Sequence, residues 1–111
     1  MENMSALSVR QPYAELIMRG EKKIEYRTQI THKRGQIYIY ASKTLGYPED
    51  FENLKLQPGD LPTGVLIGTV EITDCTGRPG DYEWHLANPE RLHELIKPER
   101  HPQSSWFKPF N

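Results

Sequence analysis

The stretch Gly64-Val65-Leu66-Ile67-Gly68-Thr69-Val70-Glu71-Ile72-Thr73 constrains this chain most. It is a long, nearly continuous run of apolar and β-branched residues, and such residues suit a pleated, packed surface. Gln36-Ile37-Tyr38-Ile39-Tyr40-Ala41 carries an even stronger β signal, with Gly35 before it. Two such runs need further strands to cover them. Ala6–Val9, Ile24–Arg27 and Tyr82–Ala87 supply the candidates, each with period-two alternation. Tyr13, Leu16 and Ile17 recur at helical spacing behind Pro12, which suits a first helical turn, and Gly20 closes that helix. A second short helix is expected over Pro48–Leu54. Gln57–Pro62 and Asp74–Gly80 read as turns, and Asn88-Pro89-Glu90 as a strand break. Arg91–Ile96 fits a helix or a strand. The proline-rich tail is expected to be irregular and pinned to the core by Trp106, Phe107 and Phe110. Five to six short strands with one good helix favour a closed or nearly closed barrel.

The chain has 111 residues, which fits one domain over 1–111. Its hydrophobic fraction of 36% makes the core modest. The net charge of −1 excludes a global basic field that would recruit nucleic acid. The charge is unevenly spread, however. Arg19, Lys22, Lys23, Arg27, Lys33 and Arg34 lie in one segment with only Glu21 and Glu25. A basic segment on a neutral chain is compatible with a local phosphate or nucleic-acid site; a solvated charged face is the plainer reading. The single cysteine, Cys75, allows no disulfide within the chain and has no histidine beside it to activate it. His85 and His93 lack metal-site spacing, so neither metal nor cofactor is implied. With no apolar run near twenty residues and no signal-peptide pattern, a cytoplasmic protein without membrane association is expected.

The candidate site lies in the charged segment. Lys22 could meet a phosphate as a point charge and Arg27 as a bidentate fork. Glu25 between them could hold Arg27 or accept from a base edge. The alternative is a structural ion pair on a barrel strand. Gln11 sits at the entry to the first helix, where it could meet a ligand or simply cap. Ser42 and Lys43 end the strand that carries Tyr38 and Tyr40, and could border the same cleft. Tyr26 offers an aromatic face for a base, although most barrel tyrosines are packing residues. Glu71 interrupts an apolar run, which makes it either a candidate acid or base or an outward-facing residue of an alternating strand.

Ala6-Leu7-Ser8-Val9-Arg10-Gln11-Pro12-Tyr13-Ala14, followed by Gly20, Lys22, Glu25 and Arg27 in a Gly-x-Lys-x-x-Glu-x-Arg pattern, resembles the ASCH domain family. The likeness continues through Arg34-Gly35, Ala41-Ser42-Lys43, Gly64–Cys75, Tyr82-Glu83-Trp84, Asn88-Pro89 and Trp106-Phe107. It implies an α+β, mainly β, PUA-like fold: a small barrel of five to six strands with one or two flanking helices. It leans Arg91–Ile96 toward strand. It also implies a cleft lined by the motif that binds RNA, another nucleic acid, or a nucleotide or modified nucleoside; a protein partner is compatible with it. The alternative is a small hydrolase. Some relatives resemble N4-acetylcytidine amidohydrolases, which use a lysine, a threonine three residues later and a glutamate on a later strand. Lys22 and Glu71 match two of these positions, but Glu25 occupies the third. A carboxylate does not replace an activated hydroxyl, which argues against that mechanism. A variant in which Glu25 or Glu71 activates water near Lys22, or a ribonuclease-like site, remains as the enzymatic reading.

Overall fold

The computed structural model describes residues 4–110. The elements run β1 (Ala6–Val9), α1 (Tyr13–Met18), β2 (Ile24–Arg27), β3 (Gly35–Ala41), α2 (Pro48–Glu52), β4 (Val65–Arg78), β5 (Asp81–Ile96) and β6 (Trp106–Phe107). A single 3-10 turn, Pro58–Asp60, separates α2 from β4. All six strands form one sheet in the order β2-β5-β4-β3-β1-β6. Only β1 and β3 pair in parallel; every other neighbour is antiparallel. The sheet curls into a half-barrel whose ladder stays open, with β2 and β6 as its edges.

The curl has a local cause. Register shifts interrupt the β4–β5 ladder at Leu66/Gly68, Thr69/Glu71 and Ile72/Asp74, and the β3–β4 ladder at Ile39/Tyr40. Each bulge bends its strand and sharpens the twist. The expected break at Asn88-Pro89-Glu90 is one of these bulges. β5 passes through it without ending, with Asn88 in the left-handed region at φ 54°. Asn tolerates that conformation better than most residues, and a bulge can absorb the N–H that Pro89 lacks. The expected turn over Asp74–Gly80 is also corrected. β4 continues to Arg78, and only Pro79 and Gly80 turn the chain, Arg78 facing Asp81 across the hairpin. Arg91–Ile96 is strand.

Both faces of the sheet are covered. The inner face buries Leu7, Val9, Ile37, Ile39, Val70, Ile72, Trp84 and Leu86 against Ala14, Ile17 and Met18 of α1. The outer face buries Ala6, Tyr38, Tyr40 and Leu66 beneath Phe107 and Phe110 of the tail and Leu92 and Ile96 of β5. Tyr40 and Phe107 meet edge to face at 5.2 Å, a favourable aromatic geometry. α1 ends where Gly20 turns left-handed at φ 76°, and the amides of Glu21 and Lys22 both donate to the Leu16 carbonyl at 3.0 Å. That turn delivers Lys22 to the start of β2. No helix among the described residues is long and apolar enough to cross a membrane.

Candidate functional site

β2 is amphipathic in an unusual sense: its charged face points into the curl. Tyr26 is 61% exposed on the outside, while Glu25 is 7% exposed, opposite Trp84 of β5. A buried carboxylate is costly unless it is paired. Glu25 is paired twice. Arg27 approaches Oε2 with Nη2 at 2.6 Å and Nε at 2.8 Å, and Lys22 Nζ lies 3.5 Å from Oε1. Lys22 also donates to the Ile24 carbonyl at 2.7 Å and stands 5.3 Å from the Tyr26 ring centroid.

The rest of the Arg27 fork crosses the open seam of the sheet. Nη2 donates to the Ser8 carbonyl of β1 at 3.1 Å, and Nη1 donates to Ser105 Oγ at 3.0 Å. Its guanidinium lies 5.5 Å from the Trp84 ring centroid. A guanidinium has five N–H donors, so this pattern leaves one Nη1 hydrogen for another acceptor. Arg27 therefore ties edge strand β2 to β1 and to the tail.

A cleft of about 580 Å³ opens along this seam. It is lined by Ser8, Val9, Arg10 and Tyr13, by Glu25 and Arg27 of β2, by Ser42 and Thr44, and by the segment 102–105. The volume is ligand-sized. Its polar side chains are hydroxyls, guanidinium groups, the Gln103 amide and one carboxylate, which is neutralised by Arg27. The Arg10 side chain is exposed and has no hydrogen-bond or ion-pair partner among the described residues. At the margin, the Tyr13 hydroxyl donates to Asp50 of α2. Burial, reinforced by that bond, holds the Tyr13 hydroxyl above the usual phenol range, so it remains a donor. Gly46 packs so closely on the Tyr13 ring that an added Cβ would stand 2.5 Å from its edge.

The other sequence-derived candidates are dispersed. Ser42 lies in the cleft. Gln11 is fully buried: its Nε2 donates to the Pro62 carbonyl at 3.0 Å and its Oε1 accepts from the Glu15 amide at 3.0 Å, so it fixes the entry to α1. The Lys43 stem lies over Gly64, where an added Cβ would stand 2.9 Å from Lys43 Cε. Lys22 lines a separate, smaller hollow of about 250 Å³ with Ile17, Gly20 and Asn88. Glu71 stands between the inward Val70 and Ile72, is half-buried, and accepts a hydrogen bond from Asn88 Nδ2 at 2.9 Å. Lys22, Glu25 and Arg27 are thus brought together, while Tyr26 and Glu71 face elsewhere.

The structure adds residues that the sequence did not single out. Arg10, Thr44 and the segment 102–105 line the cleft, and only Arg10 carried a signal, adjoining the Gln11-Pro12 turn. Behind the cleft, Glu15 of α1 receives a two-pronged bond from Arg91, Nη1 to Oε1 at 2.9 Å and Nη2 to Oε2 at 2.7 Å, and a third from Arg19 at 2.8 Å. Arg91 above all, then Arg19, holds the Glu15 carboxyl below the usual range against the opposing effect of burial. No group of three or more His, Cys, Asp or Glu side chains is placed to hold a metal among the described residues.

The sequence profile of the ASCH domain matches residues 7–108, nearly the whole chain. The chain belongs to the ASCH domain family. Among curated proteins, activating signal cointegrator 1 of Homo sapiens is 35% identical over 80 residues, and that of Mus musculus is 34% identical. These alignments cover 62% of this chain but only 14% of either relative, so this domain spans a small part of their length. Among solved structures, ASCH from Zymomonas mobilis superposes with a TM-score of 0.67 at 14% identity, covering 97% of this chain and 88% of the other. A Y47F mutant of ZmASCH from the same organism gives the same TM-score at 13% identity, covering 96% and 89%. At that identity the likeness concerns the fold.

Proposed function

We propose that this ASCH domain binds single-stranded RNA, or a nucleotide-like ligand, in the cleft along the β1–β2 seam. The observation that carries the proposal is the Arg10 side chain, unpartnered among the described residues, on the same ligand-sized, hydroxyl-rich cleft as the Arg27 fork. Guanidinium groups match phosphate oxygens, and Ser8, Ser42, Thr44 and Ser105 suit ribose hydroxyls. Glu25 acts by holding Arg27, and Lys22 by pairing with the other Glu25 oxygen. The hydrolase reading gains no support from the geometry. Neither Lys22 nor Glu71 lines the cleft.

Arg10→Ala tests the proposal, because the side chain is exposed and its removal strands no partner. Affinity for a short single-stranded RNA is expected to fall about tenfold. The slope of log affinity against log salt is expected to flatten by about 0.7, the contribution of one phosphate contact on a single strand. A variant that binds as the parent does, with an unchanged slope, would overturn it.

A further inference from the structure

A second hollow of about 480 Å³ adjoins the first. The two share Arg27, Ser104 and Ser105 as a common wall, so they lie on either side of one ridge. Their chemistry differs. The first is hydroxyl-rich and cationic. The second is lined by Trp84, Trp106 and Ile30, and Ile30 is 49% exposed. Trp84 and Trp106 are stacked at 5.7 Å with 16° between their planes, and Trp84 Nε1 donates to the Gln29 carbonyl at 3.0 Å. Lys33 Nζ stands 5.1 Å from the Trp106 ring centroid and donates to Ser5 Oγ at 3.1 Å. Trp106 is half-buried against Trp84 and carries Lys33 over its ring, so a flat aromatic ring stacks there by displacing this exposed lysine from Ser5 Oγ. The Arg27 fork retains one Nη1 hydrogen on this ridge.

We infer that the two hollows form one track for at least two consecutive nucleotides of single-stranded RNA. The first holds a sugar and phosphate against Arg10 and the hydroxyls. The connecting phosphate crosses the ridge at Arg27, Ser104 and Ser105. The next base lies in the second hollow against Trp106 and Ile30. This rests on the proposed RNA-binding role and makes it more specific: the preferred ligand is a strand rather than a single nucleotide or free nucleoside. Base stacking is sequence-tolerant, so the track selects for single-strandedness more than for base identity.

The test uses the two tryptophans as built-in reporters, since Trp84 and Trp106 are the only ones in the chain and both line the second hollow. The protein is titrated with AMP and with the phosphorylated dinucleotide pApA, with affinity read by calorimetry and tryptophan emission followed in parallel. The dinucleotide is expected to bind at least about fivefold tighter, the low end of what one stacked base contributes. It is also expected to change the emission, while AMP leaves it nearly constant. Ile30→Asp, an exposed substitution, is expected to remove the dinucleotide's advantage and leave AMP binding intact. Equal affinities with no emission change from either ligand would overturn the track but leave the proposed function standing. An emission change as large with AMP as with pApA would also overturn the track, because a single nucleotide would then occupy the aromatic hollow. Binding of neither ligand would overturn both.

Discussion

Arg27→Met followed by Glu25→Met in the same chain distinguishes a seam-closing ion pair from a free, ligand-seeking cation. The Glu25 side chain is 10% exposed and that of Arg27 20%, so the pair is largely removed from water. Breaking a buried pair by removing one partner costs about 3–5 kcal/mol, because a charge is left uncompensated. Here Lys22 remains 3.5 Å from the other carboxylate oxygen, and some solvent still reaches the site. We therefore expect Arg27→Met to destabilise by about 2–4 kcal/mol, against a total of roughly 5–15 kcal/mol for a domain of this kind. That corresponds to a drop of roughly 8–16 °C in Tm for a chain of this size.

The double variant Glu25→Met, Arg27→Met removes the stranded carboxylate as well. It is expected to be more stable than the single variant, since apolar replacement of a buried pair is often neutral or better. Lys22 keeps its bond to the Ile24 carbonyl, and its side chain, 20% exposed, can turn its ammonium to water. Urea unfolding followed by circular dichroism measures all three proteins. If Arg27→Met unfolds at the parent's urea concentration, or if the double variant is no more stable than the single, the pair is not desolvated. Arg27 would then be free to serve as the main ligand contact.

Arg91→Met tests the clamp behind α1. Arg91 holds the Glu15 carboxyl below its ordinary value of 4.5, so the folded state favours the charged form and gains stability above that pH. The gain fades as pH falls through the lower folded value. Arg91→Met is therefore expected to lower Tm at pH 7 and to converge on the parent at strongly acid pH; a gap that stays constant with pH would sink the account. Gly68→Ala tests the close approach at the β4–β5 bulge. Its Cβ would stand 2.5 Å from the Glu90 carbonyl and press on Met18 Sδ as well. Backbone cannot yield cheaply there, so a loss of about 2 kcal/mol or more is expected in urea unfolding.

The strands that bury an apolar stripe were legible in the sequence: β1, β3 and the first part of β4 each announce themselves by composition. The far half of β4 was not. Asp74 to Arg78 pairs only with β5 and is mostly exposed, so no hydrophobic alternation marks it, and its glycine with the proline that follows reads as a turn. Asn88-Pro89 misled for a related reason, since a bulge uses the same residue types as a strand end. For the site, the chain of Lys22, Glu25 and Arg27 was legible as a cluster because its members are neighbours. Its direction was not, because apolar Tyr26 faces out and charged Glu25 faces in, against the usual sense of burial. The partners that fix Arg27 lie 19 and 78 positions away, and Arg91 lies 76 from Glu15, beyond any local pattern. Gln11 was noticed for its place before α1, and that place is what buries it.

An inward carboxylate on an edge strand has a cost that only its partners offset, so its position needs a physical reason. The open ladder supplies one. β2 has no strand to pair with on its free side, yet the curl brings it up to β1 and the tail. Arg27 spans that gap with side-chain bonds where backbone bonds are missing, and Glu25 fixes the fork that does so. The seam is also where the cleft opens, so under the proposed function stability and ligand contact share one residue. Substitution at Arg27 or Glu25 must then lower both together, and a loss of RNA binding in such a variant says little about direct contact. Arg10 carries no such burden, having no partner among the described residues. Paired measurements of binding and unfolding on Arg10→Ala and Arg27→Met therefore separate the two roles: binding lost at constant stability marks the residue that meets the ligand, and binding lost in proportion to stability marks the residue that holds the wall.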